Sequence, residues 1–443
     1  MALETYKIVT FGCQMNAYDS EVMAGILEAR GMRPVADEAA AQLLMLNTCI
    51  VRASAERRAV GRIAALRPLK AAHPDRILAV CGCMAQRDAA ALLEKAPHID
   101  LVLGTRSIPC LSALIDRILG GEGPIACVEA CEDPYGTEAA PVRRSALRGL
   151  VAIMHGCDNW CSYCIVPAVR GGEKSRPAAV VIQEIETLVA GGCREVTLVG
   201  QNVNSYSDGE TDFAALLERV NRIDGLARIR YITSHPRDAG QRHLDAVERL
   251  EKVCDHFHLP VQSGSNRVLE RMNRGYTREH YLHIVGEIRR RLPRATVTTD
   301  LIVGFPAESQ DDYALTLDLV EEVRFDAAFT FLYNVREGTR AAGWPDDVPL
   351  EEKKRRLARA IETQERISLE KNQAIIGRTV ELLVEGPARR SGADGGTGAM
   401  MGRTTGNKCV VFEGQPQDAG RLVRVRITGA ASHTLFGERI GAY

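Results

Sequence analysis

Between residues 7 and 120 the chain repeats one unit: a short, unbroken apolar run that ends in a turn and is followed by an amphipathic stretch. The runs are Lys7-Ile-Val-Thr10, Leu43-Leu-Met-Leu46, Ile77-Leu-Ala-Val80 and Leu101-Val-Leu-Gly104. Apolar runs without polar alternation predict strands covered on both faces, as in parallel sheets. The stretches near 18–30, 53–70, 86–95 and 107–119 predict helices, so residues 1–120 read as a doubly wound α/β domain. Residues 121–148 carry Gly121, Gly123, Pro124, Pro134, Gly136 and Pro141 with little periodicity and read as a linker.

A second strand–helix series occupies 149–377. Its predicted strands are Leu150–Ile153, Glu195–Gly200, Arg228–Thr233, His256–Leu259, Thr296–Val303 and Ala327–Leu332, and a charged helix over Glu351–Gly377 closes it. Six such strands predict a partial (β/α) barrel with its site at the C-terminal strand ends. From 378 to 443 the pattern changes to short β-prone runs at Val380–Val384, Lys408–Phe412 and Leu422–Ile427, with glycines at 392, 395, 396 and 398 among them. That segment reads as a small antiparallel barrel.

A length of 443 residues, 45% of them apolar and 26% charged, suits about three ordinary globular domains. No apolar run reaches the roughly 18 residues of a membrane span. Met1-Ala-Leu-Glu-Thr-Tyr-Lys7 lacks a basic segment leading into an apolar one, so a cytoplasmic protein with no membrane partner is expected. The net charge of −1 excludes a globally basic nucleic-acid binder. Nine Lys and Arg against six Asp and Glu leave residues 378–443 at +3 and the rest at −4. A local basic surface is therefore expected in the tail, where Arg421, Arg424 and Arg426 fall on one strand face or its margin, suited to RNA phosphates and stacking. Arg170 and Arg176 are the alternative basic surface.

The 13 cysteines are too sparse for a disulfide framework and point to metal sites and core thiols. Directly after a predicted strand stands His155-Gly-Cys157-Asp-Asn-Trp-Cys161-Ser-Tyr-Cys164, a C-x3-C-x2-C set. Three thiolates can hold a four-iron cluster while leaving one iron open, and an open position is where a metal centre meets a substrate. Tetrahedral zinc is the competing assignment and would need a fourth ligand such as His155. Trp160 and Tyr163 are expected to shield the centre from solvent.

A second triad is spread through the first domain. Cys13, Cys49 and Cys83 each sit just beyond a predicted strand, 36 and 34 residues apart. Adjacent parallel strands lie about 4.8 Å apart, so cysteines at equivalent strand ends converge on the crevice where open α/β sheets bind ligands. Cys81 is close enough to stand in for Cys83. Cys110, Cys127, Cys131, Cys193, Cys254 and Cys409 read as core or linker thiols, and His256 and His258 as structural histidines on a barrel strand.

The cysteine loop at the first strand end of a strand–helix series resembles the radical S-adenosylmethionine superfamily. That resemblance implies S-adenosylmethionine on the open iron and its reductive cleavage to a 5′-deoxyadenosyl radical, with Cys157, Cys161 and Cys164 at the catalytic centre. Gly200-Gln-Asn-Val-Asn204 and Asp300-Leu-Ile-Val-Gly-Phe-Pro-Ala-Glu308 end the second and fifth strands, and Gly200, Asn202, Val303 and Gly304 are the cofactor-binding residues expected there. With both triads and the small barrel, nearly the whole chain resembles the methylthiotransferases. It is most similar to the tRNA branch that methylthiolates C2 of isopentenyladenosine beside the anticodon. Carrying motifs are Cys161-Ser-Tyr-Cys-Ile-Val-Pro167, Arg170-Gly-Gly-Glu-Lys-Ser-Arg176, Thr233-Ser-His-Pro236, Leu259-Pro-Val-Gln-Ser-Gly-Ser-Asn266 and Met272-Asn-Arg-Gly-Tyr-Thr277. The loop Tyr333-Asn-Val-Arg-Glu-Gly-Thr339 departs from the family's Tyr-Ser-Pro-Arg-Pro-Gly-Thr.

The resemblance implies two [4Fe-4S] clusters, one for radical generation and one carrying sulfur, at Cys13, Cys49 and Cys83. It also implies a TRAM-like RNA-binding tail, a tRNA anticodon stem-loop as partner, an electron donor such as flavodoxin or ferredoxin, and a monomer. Sister enzymes acting on threonylcarbamoyladenosine or on a ribosomal-protein aspartate are the near alternative. A non-catalytic RNA-binding iron–sulfur protein is the remote one, against which stands the lack of a fourth cysteine at either site.

Overall fold

The computed structural model describes residues 3–51, 53–129, 140–388 and 398–441. The chain divides into two compact units. One comprises Met1–Ser145, Leu150–Asp158 and Ile165–Arg176, and the other Ala146–Gly149, Asn159–Cys164 and Pro177–Tyr443.

The first unit holds six strands, β1 (Thr5–Thr10), β2 (Arg33–Pro34), β3 (Leu43–Thr48), β4 (Ile77–Gly82), β5 (Leu101–Leu103) and β6 (Ile125–Cys127). All pair in parallel in the order β2-β1-β3-β4-β5-β6. Its helices are α1 (Gln14–Ala29), α2 (Ala53–Ala65), α3 (Arg67–Ala72), α4 (Cys83–Lys95) and α5 (Leu111–Leu119). Leu43, Met45, Ile77 and Ala79 pack on one face with Met23, Leu27, Leu111 and Ile115. Leu44, Leu46, Leu78 and Val80 pack on the other with Ala59, Ile63 and Met84. The central strands β3, β4 and β5 are buried along their whole length between these layers, which is why their runs show no alternation. Two details depart from expectation. The helix expected over 53–70 is two helices, with Pro68 in the first turn of the second. The segment expected as a linker adds β6, where Leu103 opposes Cys127; three residues are too few to register as periodicity.

Then follow β7 (Arg148–Ala152), β8 (Met154–His155), α6 (Val166–Arg170) and β9 (Lys174–Ser175). The second unit continues with α7 (Ala178–Ala190), β10 (Glu195–Val199), α8 (Phe213–Asn221), β11 (Arg228–Tyr231), α9 (Gln241–Arg249) and β12 (His256–His258). Next come α10 (Asn266–Arg271), α11 (Arg278–Arg291), β13 (Thr296–Val303), α12 (Gln310–Val323), β14 (Ala327–Leu332) and α13 (Leu350–Gln373). β10 runs parallel to β11, and β12, β13 and β14 form a second parallel ladder. A parallel bridge from Ile229 to Val253 links the two, giving the expected partial barrel. His256 Nε2 and His258 Nδ1 both meet Thr298 Oγ1, at 2.9 and 3.0 Å, as satisfied strand histidines.

The tail forms a closed five-stranded barrel from β15 (Thr379–Pro387), β16 (Ala399–Arg403), β17 (Cys409–Glu413), β18 (Leu422–Ala430) and β19 (Leu435–Arg439). Strands β16 and β19 carry glycine and charge, which hid them from the pattern, and β17–β19 is parallel where an antiparallel barrel was expected. Gly392, Gly395 and Gly396 lie outside the described residues, as does Cys131. Cys110 and Cys127 pack against the first unit's core, and Cys193 and Cys254 are buried, as expected of core thiols. No described helix is long and apolar enough to cross a membrane.

Within the second unit, the starts of β10 and β11 receive the hairpin between β16 and β17. Buried Arg230 donates to Glu195 Oε2 (2.8 Å) and to the carbonyls of Thr404 (2.7 Å) and Thr405 (3.0 Å). Thr296 Oγ1 donates to Gly406 O at 2.7 Å. Removing one partner of a buried ion pair leaves the other uncompensated, at a cost of about 3–5 kcal/mol. Arg230→Met should therefore destabilise the protein by that order in urea unfolding. Adding Glu195→Gln should recover part of the loss, and additive losses would refute the coupling.

Candidate metal centres

The order β2-β1-β3 reverses the winding direction at β1 and β3, and such switch points open the crevice that receives ligands in doubly wound sheets. Cys13 follows β1 as the N-cap residue of α1, Cys49 follows β3, and Cys83 opens α4 directly after β4. The register pairs Thr10 with Asn47 and Thr48 with Gly82, so the three ends are level. Gly12 permits the approach: its φ is +112°, and a Cβ there would lie 2.2 Å from Cys49 Cβ.

Asn16, one helical turn after Cys13, organises the crevice. Its Nδ2 donates to the carbonyls of Phe11 (3.0 Å) and Thr48 (2.9 Å). Its Oδ1 lies 3.8 Å from Cys13 Sγ and 4.0 Å from Cys83 Sγ, and accepts from Arg170 Nη2 at 2.9 Å. Arg170 also pairs with buried Asp19 at 2.7 Å, while its Nη1 is buried with no hydrogen-bond partner among the described residues. A hydrogen bond from the Cys49 thiol, helped by the Arg170 charge, pulls Cys13 down to about 6. The same bond, then burial, pushes Cys49 up, and burial raises Cys83 against the pull of Arg170. Cys81 lies elsewhere: its side chain packs with Leu43, Met45 and Ala79 on the opposite face, and burial alone raises its pKa. The strand ends at Gly82, whose φ of +90° turns the chain into α4, so Cys83 leaves the face that Cys81 shares with Ile77 and Ala79 and stands beside the other two thiols.

The division between the two units falls inside the C-x3-C-x2-C loop. In the first unit the Cys157 N–H donates to Gly171 O at 3.2 Å. In the second, the Cys164 N–H donates to Cys161 O at 2.9 Å, turning both thiols in one bend. Ser162 anchors that bend, with its N–H on Met272 O (3.0 Å), its hydroxyl on Arg271 O (2.9 Å) and its carbonyl accepting from Ala341 (2.8 Å). Arg274 Nη1 donates to Cys161 Sγ at 3.2 Å. Trp160 is 65% exposed, its carbonyl held by Asn273 Nδ2 at 3.0 Å, so the cover expected of it falls to Tyr163, edge-on to Phe305 at 6.5 Å. Among the described residues no three His, Cys, Asp or Glu groups already stand at metal-holding distance. In chemistry the donors fit iron–sulfur ligation: the first unit's three converging side chains are all thiols, and cationic guanidinium groups stand beside both cysteine sets.

The expected cofactor residues divide. Gly200 is buried at the end of β10. Asn202 bridges two strand-end loops, its Nδ2 donating to Asp238 Oδ2 (2.7 Å) and its Oδ1 accepting from the His235 N–H (3.0 Å). Val303 is a buried strand residue whose carbonyl accepts from Tyr333 at 2.9 Å. Gly304 gives its N–H to Glu308 at 2.7 Å, and a Cβ there would meet Lys353 Cγ at 2.4 Å, so packing accounts for that glycine.

In the tail, Arg424 and Arg426 point outward from β18 while Val423, Val425 and Ile427 fill the barrel; Arg421 precedes the strand at its margin, also exposed. Arg426 pairs with Glu438 at 3.0 Å, an exposed ion pair of little strength. The alternative basic surface is excluded by burial. Arg170 is only 3% exposed, and Arg176, 6% exposed, donates to Ala152 O at 2.6 Å.

Sequence reasoning gave no role to Asn16 or Arg274 and took Arg170 for part of an alternative basic surface, although Arg170 and Arg274 both lie inside quoted motifs. For Asn16 the three-residue step from Cys13, one helical turn, was the usable signal.

Residues 5–104 match the model of the Uncharacterized protein family UPF0004, 151–320 that of the Radical SAM superfamily and 373–440 that of the TRAM domain. A tRNA-2-methylthio-N(6)-dimethylallyladenosine synthase of Moorella thermoacetica is 48% identical over 99% of both chains. One of Pelotomaculum thermopropionicum is 46% identical over 98% of this chain and 97% of its own. Among solved structures, the radical S-adenosylmethionine methyltransferase TsrM from Kitasatospora setae, with cobalamin and a [4Fe-4S] cluster bound, aligns over 77% of each chain at 16% identity and a TM-score of 0.58, a likeness of fold. With full-length relatives at this identity, the chain belongs to the tRNA-2-methylthio-N(6)-dimethylallyladenosine synthase family.

Proposed function

We propose that the protein transfers a methylthio group to C2 of N6-isopentenyladenosine next to the anticodon of tRNA. The observation that carries this reading is the convergence of Cys13, Cys49 and Cys83 at the switch point of the first unit, in a chain with a separate C-x3-C-x2-C loop. The relatives' names favour this substrate over threonylcarbamoyladenosine or a ribosomal-protein aspartate.

Replacing an aromatic C–H needs a radical, because that hydrogen has no useful acidity. A cluster held by Cys157, Cys161 and Cys164 with S-adenosylmethionine would supply the radical, and one held by Cys13, Cys49 and Cys83 the sulfur. The chain's own residues bind and orient. Ser162 fixes the bend carrying Cys161 and Cys164, Tyr163 and Phe305 keep water from it, and Asn16 and Arg170 hold the other triad's polar surroundings. Arg424 and Arg426, with Arg421 at the margin, offer cations to the RNA backbone. A low-potential donor such as flavodoxin or ferredoxin would deliver the electron to a monomer in the cytoplasm.

Three outcomes follow from this assignment. Anaerobic reconstitution should load about eight irons per chain, falling to about four when Cys157, Cys161 and Cys164 are all Ala; about four in the unsubstituted protein would refute the second centre. Cys83→Ala should keep S-adenosylmethionine cleavage but lose the methylthio nucleoside in mass spectrometry, while Cys81→Ala keeps both; the reverse result would reassign the ligand. Replacing Arg421, Arg424 and Arg426 by Ala should flatten the salt dependence of tRNA binding by about 0.7–0.9 in log–log slope per lost phosphate contact, and an unchanged affinity would move the RNA surface elsewhere.

A further inference from the structure

A buried guanidinium ordinarily meets a carboxylate, because an uncompensated charge away from water is costly. Arg170 meets Asp19, Arg230 meets Glu195 and Arg356 meets Glu308. Arg274, 4% exposed, is like Arg76 in meeting no carboxylate among the described residues, but unlike Arg76, whose partner is the Ala39 carbonyl, it reaches a sulfur. Its Nη2 donates to Pro260 O at 2.6 Å, its Nε to Tyr276 Oη at 3.0 Å, and its Nη1 to Tyr163 Oη at 3.3 Å and Cys161 Sγ at 3.2 Å. Among the described residues no Asp or Glu pairs with it. Of its four acceptors the Cys161 sulfur alone belongs to the candidate cluster triad, and a cysteine binds iron as its thiolate.

The cation is also held rigidly. It lies 5.3 Å from the centre of the Tyr276 ring, and the Tyr276 hydroxyl in turn donates to Val261 O at 2.9 Å. The Tyr163 ring is braced by Phe305. A neighbour so constrained cannot swing out to solvent when the sulfur's charge changes.

We infer that Arg274 is the counter-ion of the Cys161 thiolate and, acting through that sulfur, makes the cluster held by Cys157, Cys161 and Cys164 easier to reduce. This rests on the reading of that triad as a cluster site. Reduction adds one negative charge to the centre. A fixed cation with an N–H on a ligating sulfur stabilises the more negative state and raises the potential, one of the main ways a protein tunes such a centre. Arg274 is thus a positioning residue: it touches the ligand rather than the reacting atoms.

The test uses the full chain with Cys13, Cys49 and Cys83 replaced by Ala, so that a single centre contributes signal, reconstituted anaerobically and titrated with dithionite under electron paramagnetic resonance. Absence of about four irons with Arg274 intact would sink the cluster reading itself, separately from this inference. Given the iron, Arg274→Gln should lower the ratio of reduced to oxidised centre at a fixed poise by roughly tenfold, equivalent to about 59 mV for one electron. Arg274→Lys, which keeps the charge, should recover most of that ratio. An unchanged potential in the Gln variant at full iron content overturns the inference, as does a Lys variant shifted as far as Gln. If the Gln variant fails to fold or to hold iron, the Lys variant decides alone: a ratio near that of Arg274 supports the counter-ion, and a tenfold fall overturns it.

Discussion

In a parallel sheet every strand delivers its carboxyl end to the same edge, so residues that follow successive strands meet there however far apart they lie in the chain. The first unit depends on this throughout. Cys13, Cys49 and Cys83 come together because β1, β3 and β4 are adjacent and level, with Thr48 opposite Gly82. Alternation along β4 turns Cys81 into the core, and the positive-φ turn at Gly82, where the strand gives way to α4, leaves Cys83 at the crevice. One arrangement thus supplies both the stability of the domain and the selection among its thiols.

Charge is handled differently at the two cysteine sets. Beside Cys13 and Cys83, Arg170 pairs with the buried carboxylate of Asp19. Beside Cys161, Arg274 has only neutral acceptors and the sulfur. Asp19 offsets part of the pull that Arg170 exerts on Cys13 and Cys83, whereas no described carboxylate pairs with Arg274 to offset its charge. Under the proposed function, the asymmetry would suit one centre that stores a group and another that must accept an electron.

The small barrel shows a similar economy. Its inward residues Val423, Val425 and Ile427 close the core, leaving Arg424 and Arg426 on the outer face. The hairpin between β16 and β17 meanwhile packs on Arg230. The outward arginines and the attachment to the strand–helix domain therefore occupy different parts of the barrel, so substitutions at Arg424 and Arg426 leave the anchoring contacts in place.

Domain succession, the strands of both parallel series and the six candidate ligands were legible in the amino-acid sequence, because period, run length and cysteine spacing are properties of neighbouring residues. Strands β2 and β6 were too short to be read, and β16 and β19 were disguised by glycine and charge. The contacts that give the candidate centres their character were not legible: Arg170 reaches Asp19 across 151 positions and Arg274 reaches Cys161 across 113. Both arginines belong to motifs read in sequence, yet Arg170 was read there only as part of an alternative basic surface. The sequence by itself determined which residues could ligate and on which elements they stand. Only the tertiary structure decided which of them meet and which charges are buried, because burial and counter-ion choice follow from strand order and packing rather than from local pattern.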